Sequence, residues 1–206
     1  MKNNPLSCLC IALSLVFLNA ALFSQHKQET YSGNLVLSLK AGYHNSYRIS
    51  SDNGFPDGPV YGGSIAVGTG KNFLIGFNFD YWKRKDVAVQ PSLTNITLSK
   101  NYSGFGFRFF VQYRRTLFGK LDLYADAGIG QYRISCNYMS GSTYNSDNNG
   151  YLNSAVSFGA GWKLTKNLIL NAELSHSGLV SFDVGGSSSA RITHIKFGPT
   201  LFFKMK

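Results

Sequence analysis

The sequence predicts an all-β chain: an eight-stranded antiparallel up-and-down transmembrane β-barrel preceded by a cleavable signal peptide. Three observations predict it. Apolar and polar residues alternate with period two in one segment after another. The connections between those segments alternate between tight turns and long polar stretches. The apolar face is also too bulky for the inside of a small barrel. The clearest segment is Leu168-Ile169-Leu170-Asn171-Ala172-Glu173-Leu174-Ser175, where Leu168, Leu170, Ala172 and Leu174 share one face and Asn171, Glu173 and Ser175 the other. A strand turns successive side chains to opposite sides, so this period makes a sheet with one oily and one polar face.

The amino end has the pattern of an export signal. Lys2 precedes a nearly continuous apolar run from Leu6 to Leu18, and small residues occur between Asn19 and Ser24, just before Gln25. Cleavage is expected after Ser24, giving a signal peptide over 1–24 and a barrel over 25–206. The apolar run is short for a helical span, which needs about 20 residues. Cys8 and Cys10 fall inside this segment, so Cys136 is the one cysteine of the mature chain. An internal disulfide and a thiolate metal cluster are thereby excluded, and no metal or cofactor is expected.

Eight strands follow, at about 35–48, 60–69, 73–86, 102–116, 121–137, 153–164, 168–178 and 191–203. The second is the least regular, because Gly62, Gly63, Ser64 and Gly68 dilute it. Thr69–Asn72, Leu117–Lys120 and Thr165–Asn167 read as tight turns, with Gly and Asn suited to hairpin geometry. Ser50–Pro59, Asp86–Lys100, Met139–Leu152 and Gly178–Ala190 read as long polar loops. Residues 141–150 carry no apolar side chain except the Tyr144 ring, and are expected to be exposed and mobile. Short turns at one end and long loops at the other match a membrane barrel. A soluble eight-stranded barrel shares the strand count.

Parity separates the two. One face collects Leu35, Leu37 and Leu39, then Phe73, Ile75, Phe77 and Phe79, then Phe105, Phe107 and Phe109, and later Phe158, Trp162, Ile195, Phe197, Leu201 and Phe203. The other collects Ser38, Lys40, Asn78, Asp80, Gly104, Gly106, Arg108, Asp122, Tyr124, Asp126, Gly159, Gly161, Glu173, His194 and Lys196. Eight strands cannot enclose the first set. Turned outward it meets lipid, and glycines and compact charges fill the inside. Tyr43, Tyr47, Tyr61, Tyr102, Tyr132, Tyr138 and Tyr151 are expected as a belt at the long-loop end, with Phe73, Tyr113, Trp162 and Phe203 as a belt at the short-turn end.

Two stretches give a family resemblance. Gly159-Ala160-Gly161-Trp162 through Leu174 forms a Gly-x-Gly strand, a polar turn and an alternating strand with an inward Glu. Lys196-x-Gly198-x-x-Leu201-x-Phe203 forms a polar residue, a glycine and two spaced apolar residues. Together they resemble the OmpA-like eight-stranded outer-membrane β-barrel family, from about Asn34 onward. The resemblance implies a bacterial outer-membrane location. It implies that Lys196, Gly198, Leu201 and Phe203 are read by the barrel-assembly machinery. The chain ends in Lys204-Met205-Lys206 rather than on an aromatic residue, a departure from the second motif.

The inward charges are the candidate site. Lys40, Glu173 and Lys196 belong to strands that become neighbours when the barrel closes, and Asp80, Arg108 and Asp126 form a second group on strands three to five. Buried charges must be paired. They form either a structural ion-pair plug or a gate for a small channel. A lipid A deacylase would need a His, a Ser two residues on and an acid. Ser175-His176-Ser177 offers only serines adjacent to His176, on the opposite face. No catalysis is therefore expected.

The formal net charge is +10, and removal of the export segment, with Lys2 and no acid, leaves +9. For an exported chain this points to phosphate-bearing lipid rather than nucleic acid. Lys83, Lys85, Lys100, Arg133 and Arg191 fall near the long-loop rim and are candidate contacts for lipopolysaccharide phosphates. The expected whole is a monomeric barrel that stabilises the envelope or binds a surface ligand through four outer loops.

Overall fold

The computed structural model describes residues 31–48, 56–89, 98–140, 143–183 and 186–205. The expected signal peptide lies outside them. Among the described residues there are eight strands and no helix: β1 (Asn34–Arg48), β2 (Gly58–Gly68), β3 (Phe73–Val89), β4 (Leu98–Leu117), β5 (Leu121–Ser140), β6 (Thr143–Thr165), β7 (Leu168–Asp183) and β8 (Gly186–Lys204). Each pairs antiparallel with the next, and β8 pairs with β1 to close the barrel. Short turns define the lower end here, and the opposite end is the upper. In the turn between β4 and β5, Gly119 has φ 71° and Phe118 has φ 50°. Glycine adopts this region freely, whereas a bulky side chain there is strained.

The upper connections are shorter than the sequence suggested. β3 runs to Val89, β4 starts at Leu98, and β7 and β8 pair as far as Asp183 and Gly186. The largest departure is the Met139–Leu152 stretch. Residues 143–150 are not an irregular loop but strand, paired with Arg133–Ser140 in a hairpin whose tip, 141–142, lies outside the described residues. The ladder explains this. Its backbone hydrogen bonds need no apolar side chain, and above the membrane both faces of a strand can be polar. Cross-strand contacts help, as where Ser135 Oγ donates to Asn148 Oδ1 at 2.5 Å.

Facing follows parity. Phe77, Phe79, Phe105, Phe107, Phe109, Phe158, Phe197 and Phe203 are exposed on the outer wall. The inside has three layers. The lower gathers Tyr31, Val36, Ala66, Leu74, Phe110, Ile169 and Phe202, with the buried charges Asp122 and Arg114 against Tyr31 and Phe202. The upper is apolar: Val60, Trp82, Tyr132, Ile134, Tyr151, Leu179, Ala190 and Ile192, with Tyr102 packed against it. Charged groups fill the middle. The upper aromatic belt is therefore smaller than expected. Tyr43 and Tyr61 are exposed outside, but Tyr132 and Tyr151 are buried within. Their even or odd position relative to neighbours such as Gly106 and Asn153 turns them in. At the lower end, Phe73, Trp162 and Phe203 do face out.

Inward glycines make room for inward rings. A Cβ on Gly159 would lie 2.1 Å from Tyr124 Cζ, and one on Gly106 would lie 2.3 Å from Tyr132 Cδ2. Trp82 Nε1 donates to Tyr132 Oη at 2.7 Å within the upper layer. Tyr31, just ahead of β1, closes the lower layer. Its hydroxyl donates to Asp122 Oδ1 at 2.8 Å, and its ring sits 5.6 Å from that of Phe202. Burial and the Asp122 charge both push the Tyr31 hydroxyl well above the usual phenol range.

Candidate functional site: the ion-pair core and the outer rim

The middle layer is built by charged side chains that β1, β3, β4, β5, β7 and β8 turn inward. Lys40 on β1 pairs with Glu173 on β7. Lys196 on β8 lies 3.2 Å from Glu173 Oε1 and 2.6 Å from Asp80 Oδ1. Lys40 Nζ donates to Tyr124 Oη at 2.9 Å, and that hydroxyl donates to Glu173 Oε2 at 3.0 Å. Arg108 Nη2 donates to Asp126 Oδ1 at 3.1 Å and to Ser157 Oγ at 2.7 Å. All six charged residues singled out from the sequence are therefore inside and in ion pairs.

Their grouping differs from expectation in one respect. Asp80 does not join Arg108 and Asp126. Its carboxylate lies over Gly62 of β2, where the long Lys196 side chain reaches it from β8, with His194 Nδ1 3.7 Å away from its other oxygen. Strand order along the chain placed it with β4 and β5, but a long inward side chain in so narrow a ring can reach past the neighbouring strands. Lys196 thus holds two carboxylates, and Asp80, Lys196, Glu173 and Lys40 form one chain of charge.

A further ion pair was missed. Arg114 Nε donates to Asp122 Oδ2 at 2.5 Å, and its Nη2 donates to Asn171 Oδ1 at 3.1 Å. Asn171 Nδ2 continues to Thr200 Oγ1 at 2.7 Å, and Thr200 Oγ1 to Ser38 Oγ at 3.0 Å. The signal was available, because Arg114 has the same parity as Arg108 and Gln112. The Arg114 guanidinium also lies 4.9 Å from the Tyr124 ring centre and 5.0 Å from that of Phe202, which ties the charged layer to the lower apolar one. Among the described residues, no grouping of His, Cys, Asp and Glu could hold a metal ion.

The rim cations do not form one patch. Lys83 and Lys85 are exposed on β3, and Arg133 is exposed on β5, two strands along. Lys100 on β4 lies over the Tyr138 ring, 5.2 Å from its centre. Arg191 is exposed on β8, on another side of the barrel. In the Ser175-His176-Ser177 stretch both serines are buried inside, while His176 is exposed on the outer wall and shares a 3.0 Å hydrogen bond with Thr193 Oγ1. At the end of β8, Lys196 and Gly198 face in, and Leu201 and Phe203 face out.

The family described as "Outer membrane protein beta-barrel domain" matches residues 10–198. The chain belongs to that family. This outer-membrane barrel is a protein of the bacterial outer membrane, of the OmpA-like eight-stranded type. No curated protein matches its sequence. Among solved structures it resembles a major outer membrane protein from Thermus thermophilus, with TM-score 0.59, 11% identity, and 82% of this chain and 98% of that one covered. Neisserial surface protein A gives TM-score 0.57 and 17% identity over 84% of this chain and 98% of that one. The attachment invasion locus protein Ail of Yersinia pestis gives 0.51 and 12% over 84% and 99%. At these identities the likeness is one of fold.

Proposed function

We propose that this outer-membrane barrel is a non-conducting, monomeric protein that stabilises the envelope or binds at the cell surface. Its work is done at the upper rim rather than through the interior or by catalysis. The carrying observation is the burial and pairing of the inward side chains. Clusters of buried apolar side chains lie above and below a paired ionic core, and the lower one packs against the buried Arg114–Asp122 pair. A path for ions would have to part both layers and break charge pairs that hold several strands at once.

The rim, by contrast, is built to project. β6 leaves β7 at the Leu152–Val180 pair, yet its ladder with β5 continues to Thr143 and Ser140. That hairpin presents Thr143, Tyr144, Ser146, Asp147 and Asn148 to solvent. The exposed cations Lys83, Lys85, Arg133 and Arg191 suit the phosphates of outer-membrane lipid and lipopolysaccharide. Lys196, Gly198, Leu201 and Phe203 are proposed as the signal for the barrel-assembly machinery.

Planar-bilayer recording of the refolded barrel tests this reading. Current no greater than that of the lipid alone is expected. Stepwise ion conductance would overturn it in favour of a gated channel.

A further inference from the structure

We infer that the outer wall carries a seat for one lipid of the outer leaflet, a lipopolysaccharide bound by an acyl chain and a phosphate together. The seat is a groove of about 870 Å³ open to the membrane. It follows one row of outward side chains across five strands. The register runs Phe109, Ile129, Ser154, Gly178, Arg191. Ser154 and Gly178 within the row are small, and its ends are large. The row beneath runs Val111, Ala127, Val156, His176, Thr193, again with a small residue between larger ones.

The groove is oblique to the membrane. Within the upper row, Phe109 is eight residues above Leu117, where β4 ends, whereas Arg191 is ten residues above Leu201, which pairs with the first residue of β7. The apolar end is thus deeper in the membrane and the Arg191 end is higher. Arg191 occupies the high end, His176 with its partner Thr193 lies one step beneath it, and Val111 and Ala127 line the low end. The row one step lower still, Tyr113, Ala125, Phe158, Leu174, Ile195, has no charged side chain and no His or Thr.

Lipid hydrocarbon is the medium here, so an apolar groove in this wall is filled by an acyl chain. A chain laid over Ala127 leads up to a cation at headgroup level. Arginine there makes charge-assisted hydrogen bonds to phosphate, and anionic charge complements the basic barrel. Lipopolysaccharide is the occupant that brings several acyl chains and phosphates to that leaflet. The inference rests on the proposed orientation, with the long-loop end facing outside.

The test uses the full barrel in nanodiscs holding equal amounts of lipopolysaccharide and phosphatidylglycerol. Bound lipid is counted by native mass spectrometry on protein first shown to be folded by its unboiled gel migration. Wild-type barrel should retain lipopolysaccharide in preference to phosphatidylglycerol. Ala127→Phe fills the low end and Arg191→Gln removes the cation. Each should lower retention about tenfold, the equivalent of one charge-assisted contact or one seated chain. Ile65→Trp, on the outer wall of β2, should change nothing. Equal retention of both lipids, or wild-type retention in both groove variants, would overturn the seat. Loss in Arg191→Gln alone would leave a phosphate contact without a seat and overturn it too. An epitope after Ser146 that stains only in permeabilised cells would instead show the orientation to be reversed.

Discussion

Asp80 on β3 and Lys196 on β8 meet inside the barrel at 2.6 Å, although β1 and β2 lie between their strands around the ring. Lys196 also holds Glu173, which holds Lys40. Glu173→Gln should therefore lower stability by about 3–5 kcal/mol, the usual consequence of leaving buried charge unpaired. Asp80→Asn should cost less, because Lys196 keeps Glu173. The temperature at which the unboiled folded band is lost on a gel measures both. Unchanged midpoints would mean that the charges do not meet.

The outer wall makes a second prediction. Phe107 is exposed there, between Phe105 and Phe109 on the same face. Phe107→Arg should cost about 2–4 kcal/mol if the residue lies near the bilayer midplane. Spin labels at successive positions 105 to 109 should alternate between lipid-soluble and water-soluble quenchers. Loss of that period would contradict the facing of β4.

Packing of rings on glycines makes a third. Gly159→Ala would place a Cβ 2.1 Å from Tyr124 Cζ, so overpacking of about 1–3 kcal/mol is expected. Gly150 has nothing within 4 Å of a Cβ, and Gly150→Ala should stay within about 0.5 kcal/mol of wild type. Denaturant unfolding of the two variants in vesicles compares them. Equal midpoints would show that the Tyr124 ring does not rest on Gly159.

The β5–β6 hairpin makes a fourth. Its ladder from Arg133–Gly150 to Ser140–Thr143 should slow amide exchange in alternate residues well above the membrane. An irregular loop would exchange throughout within the dead time. An epitope inserted after Ser146 should be stained on intact cells.

The barrel was legible because its signal is redundant. Facing repeats on strand after strand, so Leu35 through Phe203 could be assigned by parity, with only the strand that Gly62 and Gly63 blur left unassigned. The inward position of Lys40, Asp80, Arg108, Asp126, Glu173 and Lys196 followed from the same rule. Partner choice did not, because parity says which side a residue faces and not how far it reaches. Lys196 reaches past β1 and β2 to Asp80, and no pattern along β3 encodes that. The upper strand ends were illegible for another reason. Apolar alternation reports burial of one face, and Thr143 to Gly150 bury neither, so a strand there looks like a loop. Tyr132 and Tyr151 were assigned to the outer belt by residue type, when their parity already placed them inside.

The chain of charge from Asp80 through Lys196 and Glu173 to Lys40 draws on β1, β3, β7 and β8, and two of its bonds, Lys40–Glu173 and Asp80–Lys196, run between the amino-terminal and carboxy-terminal parts of the sequence. Neither can form until β8 has found β1. A chain in the act of inserting would hold Lys40, Lys196 and Glu173 in a half-open ring, where water still satisfies them. Shutting the last seam expels that water and makes each charge depend on the others. The core then acts as a latch that engages only on a complete ring, so partly zipped barrels stay soft while finished ones resist reopening at the β1–β8 seam.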